Sequence, residues 1–223
     1  ELGLGYTFLT NNSSKSVEAY LDHLEGMGIA TSRDKMYTSG VATMDFLRHD
    51  YPQVNSVYIL GTPSLKAEFE ANGFEVKTEP LDEPDAVVVG FDTTLTFTHL
   101  CECAWWISRG KPFIATHPDL VCPTNLPTVL VDCGAVCRCL EAATGRQVEA
   151  VPGKPDPRML EGIMRRHGLK PEETAMVGDR IYTDIAMAHN AGAIGVLVLT
   201  GEATAQDAAA VEQPPHFVMD SIQ

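Results

Sequence analysis

Positive charge is scarce in this chain. Of its 223 residues 16 are Lys or Arg against 30 Asp or Glu, for a formal net charge of −14, and no basic cluster interleaves with aromatics. Such a surface repels a phosphate backbone, so nucleic acid is excluded as an expected partner. Long apolar runs are missing as well: none approaches the ~20 residues of a membrane span, and no signal-peptide pattern stands at the visible start. No Cys-x-x-Cys pair occurs. The six cysteines, Cys101, Cys103, Cys122, Cys133, Cys137 and Cys139, all fall mid-chain. Their spacings suit separate thiols in a reducing cytoplasm, with a zinc site on Cys133, Cys137 and Cys139 as the alternative. There is no internal repeat, no low-complexity tract and no initiator Met. The chain opens Glu1-Leu2-Gly3-Leu4-Gly5, which reads as a helix end with its Gly C-cap rather than a protein's start.

What is present is an alternation of short apolar runs and amphipathic stretches, the signature of an α/β fold. Residues 1–35 read as strand, loop and helix, with the strand around Tyr6 to Leu9 and the helix from Val17 to Gly26. A second βα series fills residues 36–147: strand Val57 to Leu60, helix Ser64 to Ala71, strand Ala86 to Val89, helix His99 to Ser108, strand Phe113 to Ala115. From 148 onward the first pattern resumes, with a helix Arg158 to His167, a strand into Gly178, a strand Gly195 to Leu199 and a last strand near Phe217. The expected architecture is a doubly wound, Rossmann-like core built from residues 1–35 and 148–223. An α/β segment, residues 36–147, interrupts it.

Three places carry chemistry. Ala175-Met176-Val177-Gly178-Asp179 is a strand that ends in a carboxylate, and Asp184 follows five residues later. Ligands of open α/β sheets bind at that strand end, and paired carboxylates suit a hard cation such as Mg2+. Thr183 reads as the N-cap of the helix that follows, ahead of Ile185. The alternative is a turn-forming Asp179 beside an N-capping Asp184. Thr10-Asn11-Asn12-Ser13-Ser14 lies between a strand and a helix and offers hydroxyl, amide and backbone donors to an anion; it also reads as an ordinary capping loop. Lys154, held between Gly153 and Pro155 at a helix entry, is either a fixed positive charge for a phosphoryl group or a solvated turn residue.

Hydroxyl loop, Gly-Lys-Pro and Gly-Asp-Arg-x-x-Thr-Asp, in that order, resemble the haloacid dehalogenase-like hydrolase superfamily. More narrowly they resemble its type IIA branch, the NagD-like and 4-nitrophenylphosphatase-like phosphatases. Asp85 to Asp92 and Phe113 to Asp119 extend the resemblance over nearly the whole chain. It implies an Mg2+-dependent phosphatase of small phosphorylated metabolites, such as sugar phosphates or nucleotides. Thr10 would be catalytic and phosphate-binding, with Asn11 and Asn12 adding donors. Lys154 would neutralise developing charge, and Asp179 and Asp184 would serve the metal. Residues 36–147 would be the substrate cap, with His117 and Asp119 at its specificity loop; Asp119 also reads as a turn cap after Pro118. A homodimer is compatible with this reading.

The resemblance also exposes an absence. The family's nucleophile belongs to an Asp-x-Asp-Gly-Thr motif on the first strand, upstream of the threonine loop, and residues 1–223 do not carry it. Asp92, in Phe91-Asp92-Thr93-Thr94, lacks the second Asp and the Gly, and comes too late in the chain. The expectation is therefore a chain truncated at both ends, missing its first strand and inactive alone. The rival is a non-catalytic phosphate-binding or dimerising protein.

Overall fold

The computed structural model describes residues 3–124 and 127–222. The expected helix end at Glu1 and Leu2 lies outside them. The chain forms two compact units, Glu1–Gly153 and Lys154–Gln223.

In the first unit β1 (Phe8–Thr10) leads into the hydroxyl loop and α1 (Val17–Gly26). Ser16 starts that helix by accepting the Ala19 N–H on its hydroxyl. Parallel to β1 runs β2 (Met36–Thr38), in the register Phe8 to Met36 and Thr10 to Thr38. Its three residues are too few to show a period in the sequence. It starts at the expected boundary of the inserted segment, yet shares the sheet of β1. Thr38 then caps α2 (Ser39–Asp50) by accepting the Val41 N–H.

Four further strands make one parallel sheet: β3 (Ser56–Leu60), β4 (Glu75–Lys77), β5 (Ala86–Val89) and β6 (Phe113–Ala115), in the order β4-β3-β5-β6. Between them run α3 (Pro63–Ala71) and α4 (Phe97–Ser108). Strands β3 and β5 are buried throughout. That is why Val-Tyr-Ile-Leu and Ala-Val-Val-Val are continuous rather than alternating: both faces are covered. A short hairpin, β7 (Val121–Cys122) with β8 (Leu130–Val131), precedes α5 (Cys133–Thr144). Cys103, Trp106 and Ile107 of α4 and Val136, Cys137 and Leu140 of α5 pack with Tyr58, Leu60, Val87, Val89 and Phe113 into one core. Each such aliphatic or aromatic side chain contributes about 1.5–3 kcal/mol by leaving water.

The second unit begins with α6 (Arg158–His167), which ends at Gly168 with φ +67°, the left-handed conformation glycine adopts without penalty. Arg165, Arg166 and His167 occupy its last turn, where the helix dipole favours cations. The strand β9 (Ala175–Gly178), helix α7 (Ala186–Asn190), strand β10 (Ile194–Val198), helix α8 (Ala205–Ala210) and strand β11 (Phe217–Met219) follow. The sheet is parallel, ordered β11-β10-β9, and Ile185, Leu197 and Ala208 form its core. Among the described residues no helix is long and apolar enough to cross a membrane.

Candidate functional site

The hydroxyl loop is built at the carboxyl end of β1 and is tied down residue by residue. Thr10 Oγ1 accepts the Asn12 N–H at 3.2 Å, and Asn12 Oδ1 accepts the Ser14 N–H at 2.9 Å and its hydroxyl at 2.7 Å. The Asn11 carbonyl accepts the Ser39 hydroxyl, and the Ser14 carbonyl accepts that of Thr62 at 2.8 Å. Ser13 is fully buried and accepts the Phe91 N–H at 2.9 Å. Thr10, Asn11 and Asn12 therefore share one rigid loop, the arrangement a bound anion requires if binding is not to cost loop ordering.

Asn11 Nδ2 also donates to Asp119 Oδ2 at 3.3 Å, so the two motifs meet in this unit. His117 does not face outward. It is wholly buried, with Nε2 2.9 Å from Asp132 Oδ1 and Nδ1 2.8 Å from Thr116 Oγ1. Burial opposes its cation, but the Cys133 sulfur, the Asp132 hydrogen bond and charge, and Asp119 outweigh that and raise its pKa. Cys133 moves the other way. Burial would raise it, yet the Cys137 thiol, the His117 charge and the Thr116 hydroxyl draw it down to about 6. His117, Asp119 and Asp132 are the group of metal-ligand side chains that converges among the described residues, within 4.8 Å of one another; Cys133, Cys137 and Cys139 form no such group. All six cysteines are free thiols. Asp92 accepts the Thr94 N–H and hydroxyl, both at 2.7 Å, and so closes its own turn.

The second unit holds Lys154, Asp179 and Asp184. After β9 the chain makes a wide turn of π-helix, Ile181–Ile185, in which the Ile185 N–H reaches the Arg180 carbonyl at 3.2 Å. Such turns are frequent at functional sites. Its effect here is to turn Asp184 inward, 2 % exposed, against Gly178. Thr183 is not the cap of the helix: it is inside the turn, and its buried hydroxyl has no hydrogen-bond partner among the described residues. Lys154 Nζ lies 2.7 Å from Asp184 Oδ1, and the Arg180 N–H donates to Asp184 Oδ2 at 3.1 Å. Asp179, at the strand end, accepts the Glu202 N–H at 2.9 Å. Of these groups Asp184 meets Lys154; the carboxylates of Asp179 and Asp184 are hard oxygen donors of the kind Mg2+ takes.

The chain is similar to several proteins named as phosphatases. A HAD-hydrolase-like family model matches residues 151–223 and a haloacid dehalogenase-like hydrolase model residues 1–75. An acid sugar phosphatase of Staphylococcus epidermidis is 32 % identical over 212 residues, 95 % of this chain and 80 % of that protein. A 4-nitrophenylphosphatase structure from Thermotoga maritima is 39 % identical with a TM-score of 0.88, over 96 % of this chain and 80 % of that one. A glycerol phosphate phosphatase from Mycobacterium tuberculosis, in complex with magnesium, is 32 % identical with a TM-score of 0.88, over 96 % of this chain and 65 % of that one. The chain belongs to the haloacid dehalogenase-like hydrolases, in their NagD-like and 4-nitrophenylphosphatase-like branch.

Proposed function

We propose that this protein is an Mg2+-dependent phosphatase of small phosphomonoesters, of the sugar phosphate or nucleotide type. The observation that carries this is the Lys154–Asp184 pair folded against Gly178 beside Asp179, on a chain whose relatives are phosphatases. The relative solved with magnesium supports the metal. Thr10, Asn11 and Asn12 hold the phosphoryl oxygens, and Lys154 offsets the charge that develops on them. Asp179 holds the cation, while Asp184, with both oxygens already engaged by Lys154 and the Arg180 amide, fixes the lysine and supports the metal's shell. Bound there, Mg2+ would polarise the phosphoryl oxygens as a Lewis acid.

On this reading the family's Asp carboxylate attacks phosphorus, and the P–O ester bond breaks as the leaving oxygen takes a proton from solvent. Water then cleaves the aspartyl-phosphate, releasing phosphate and restoring the carboxylate. The family matches, to residues 1–75 and 151–223, leave residues 76–150 between them, which fits an inserted substrate cap within residues 36–147.

The test is turnover of 4-nitrophenyl phosphate and a panel of sugar phosphates by the chain extended upstream through an Asp-x-Asp-Gly-Thr strand, with and without EDTA. Magnesium-dependent turnover that Asp179→Ala abolishes is expected. Unchanged turnover in Asp179→Ala refutes its role, and phosphate binding without turnover in the extended chain favours the non-catalytic rival.

A further inference from the structure

Four buried polar side chains run in line from the hydroxyl loop to the start of α5. Ser13 Oγ lies 3.1 Å from Thr116 Oγ1, Thr116 Oγ1 2.8 Å from His117 Nδ1, and His117 Nε2 2.9 Å from Asp132 Oδ1. Ser13, Thr116 and His117 are fully buried and Asp132 is 4 % exposed. The far end is anchored, since Asp132 Oδ1 also accepts the Cys133 N–H at the first turn of α5. The near end is anchored through the Phe91 N–H on Ser13. The backbone supports the same line. The Gly134 N–H donates to the Asp119 carbonyl at 2.8 Å, and the Asp132 N–H to that of Leu120 at 3.0 Å.

Three glycines let the backbone come this close. A Cβ on Gly90 would fall 2.9 Å from Ser13 Oγ, one on Gly153 2.5 Å from the Thr116 carbonyl, and one on Gly134 2.1 Å from the Pro118 carbonyl. A buried line of polar groups costs free energy unless every member is satisfied. The protons can be placed to satisfy it: Ser13 donates to Thr116, Thr116 to Nδ1, and Nε2–H to Asp132. With the ring cationic the first two bonds reverse, and Ser13 stays tied either way.

We infer that Asp132, His117 and Thr116 are positioning residues for the phosphate loop, a buried relay that fixes Ser13, and through Asp119 also Asn11, in the anion-binding geometry. The inference rests on the proposal that residues 10–14 receive phosphate. None of the three touches substrate. They act by sparing the loop the ordering cost of binding.

The test uses Asp132→Ser, which keeps a good helix cap but is too short to reach His117, and Thr116→Val, which removes the hydroxyl at constant shape. Asp132→Asn, which keeps an acceptor at Oδ1, is the rescue variant. Amide exchange and inorganic phosphate affinity are read on the 223-residue chain. In the first two variants the amides of Asn12, Ser14 and Phe91 should exchange about tenfold faster, and phosphate should bind about tenfold more weakly, as expected for one lost buried hydrogen bond. The amides of α5 and β6 should hold, and Asp132→Asn should restore the loop. Unchanged loop exchange, or loss spread equally over α5 and β6, overturns the relay. Faster loop exchange with phosphate affinity unaltered, or undetectable in the parent chain, upholds the relay and removes the phosphate reading of the loop instead.

Discussion

Gly178 and Asp184 compete for one space: a Cβ on Gly178 would fall 2.4 Å from the Asp184 carboxyl carbon. The strand end can carry a buried carboxylate because the residue before Asp179 has no side chain. Gly178→Ala should therefore push Asp184 off Lys154 and cost about 1–3 kcal/mol, the usual range for overpacking. Urea unfolding measures this, and a loss under about 0.5 kcal/mol, the level of an ordinary surface change, would show that the turn yields freely.

Lys154 is the charge that Asp184 meets, with side chains 14 % and 3 % exposed. Removing one partner of a buried pair strands the other, at about 3–5 kcal/mol. Lys154→Met should approach the lower end, since the lysine keeps some contact with water. Adding Asp184→Asn should recover part of the loss. A double-mutant cycle with no coupling would place the pair among surface bridges.

Gly201 stands to Asp179 as Gly178 does to Asp184, since a Cβ there would fall 2.1 Å from Asp179 Oδ2. Gly201→Ala keeps the carboxylate but moves it. We predict an Mg2+ affinity lower by about tenfold, on the scale of perturbing a ligand's support, read by calorimetry. Equal affinity would mean that Asp179 is not the metal's ligand.

The His117 pKa is raised in the folded chain, above an unfolded value near 6.5. The folded state thus favours the cation. Its stabilising contribution is complete below about pH 6.5 and is lost as pH rises through the folded value. Cys133, drawn down to about 6 in part by the His117 charge, contributes in the opposite sense and loses its share as pH falls through about 6. Because its sulfur is in turn a leading cause of the raised His117 value, the ring is followed directly in the intact folded chain by NMR titration. A midpoint above about 6.5 is expected, and one at or below it would show that the fold does not favour the cation.

The elements legible in the sequence were those with room for a pattern. Val17–Gly26 and Arg158–His167 match the structure at both ends, and Val57 to Leu60 differs from β3 by one residue. Strand β2 and the hairpin of β7 and β8 are two or three residues long, below any period. The π turn misled the reading of Thr183, since an extra residue in the turn rotates the register that an N-cap assignment assumes. Asp179, Asp184 and Lys154 were found as motifs, but that Asp184 binds Lys154 needed coordinates. The relay was beyond reach: Ser13 and Thr116 stand 103 positions apart, and a buried histidine looks no different in sequence from an exposed one. Asp132 ahead of Cys133-Gly134 was the one available signal, as a helix N-cap.

The close approaches at Gly90, Gly134 and Gly153 determine how this chain tolerates change. None of the three has a positive φ, so their backbones would suit any residue, and only the neighbouring atoms forbid one. Gly5 and Gly26, with nothing within 4 Å and ordinary φ, are open by the same measure. A library randomised at all five and selected for folding should return glycine alone at the first three and a broad alphabet at the other two. In a chain with 18 glycines, residue type alone would not have told these positions apart.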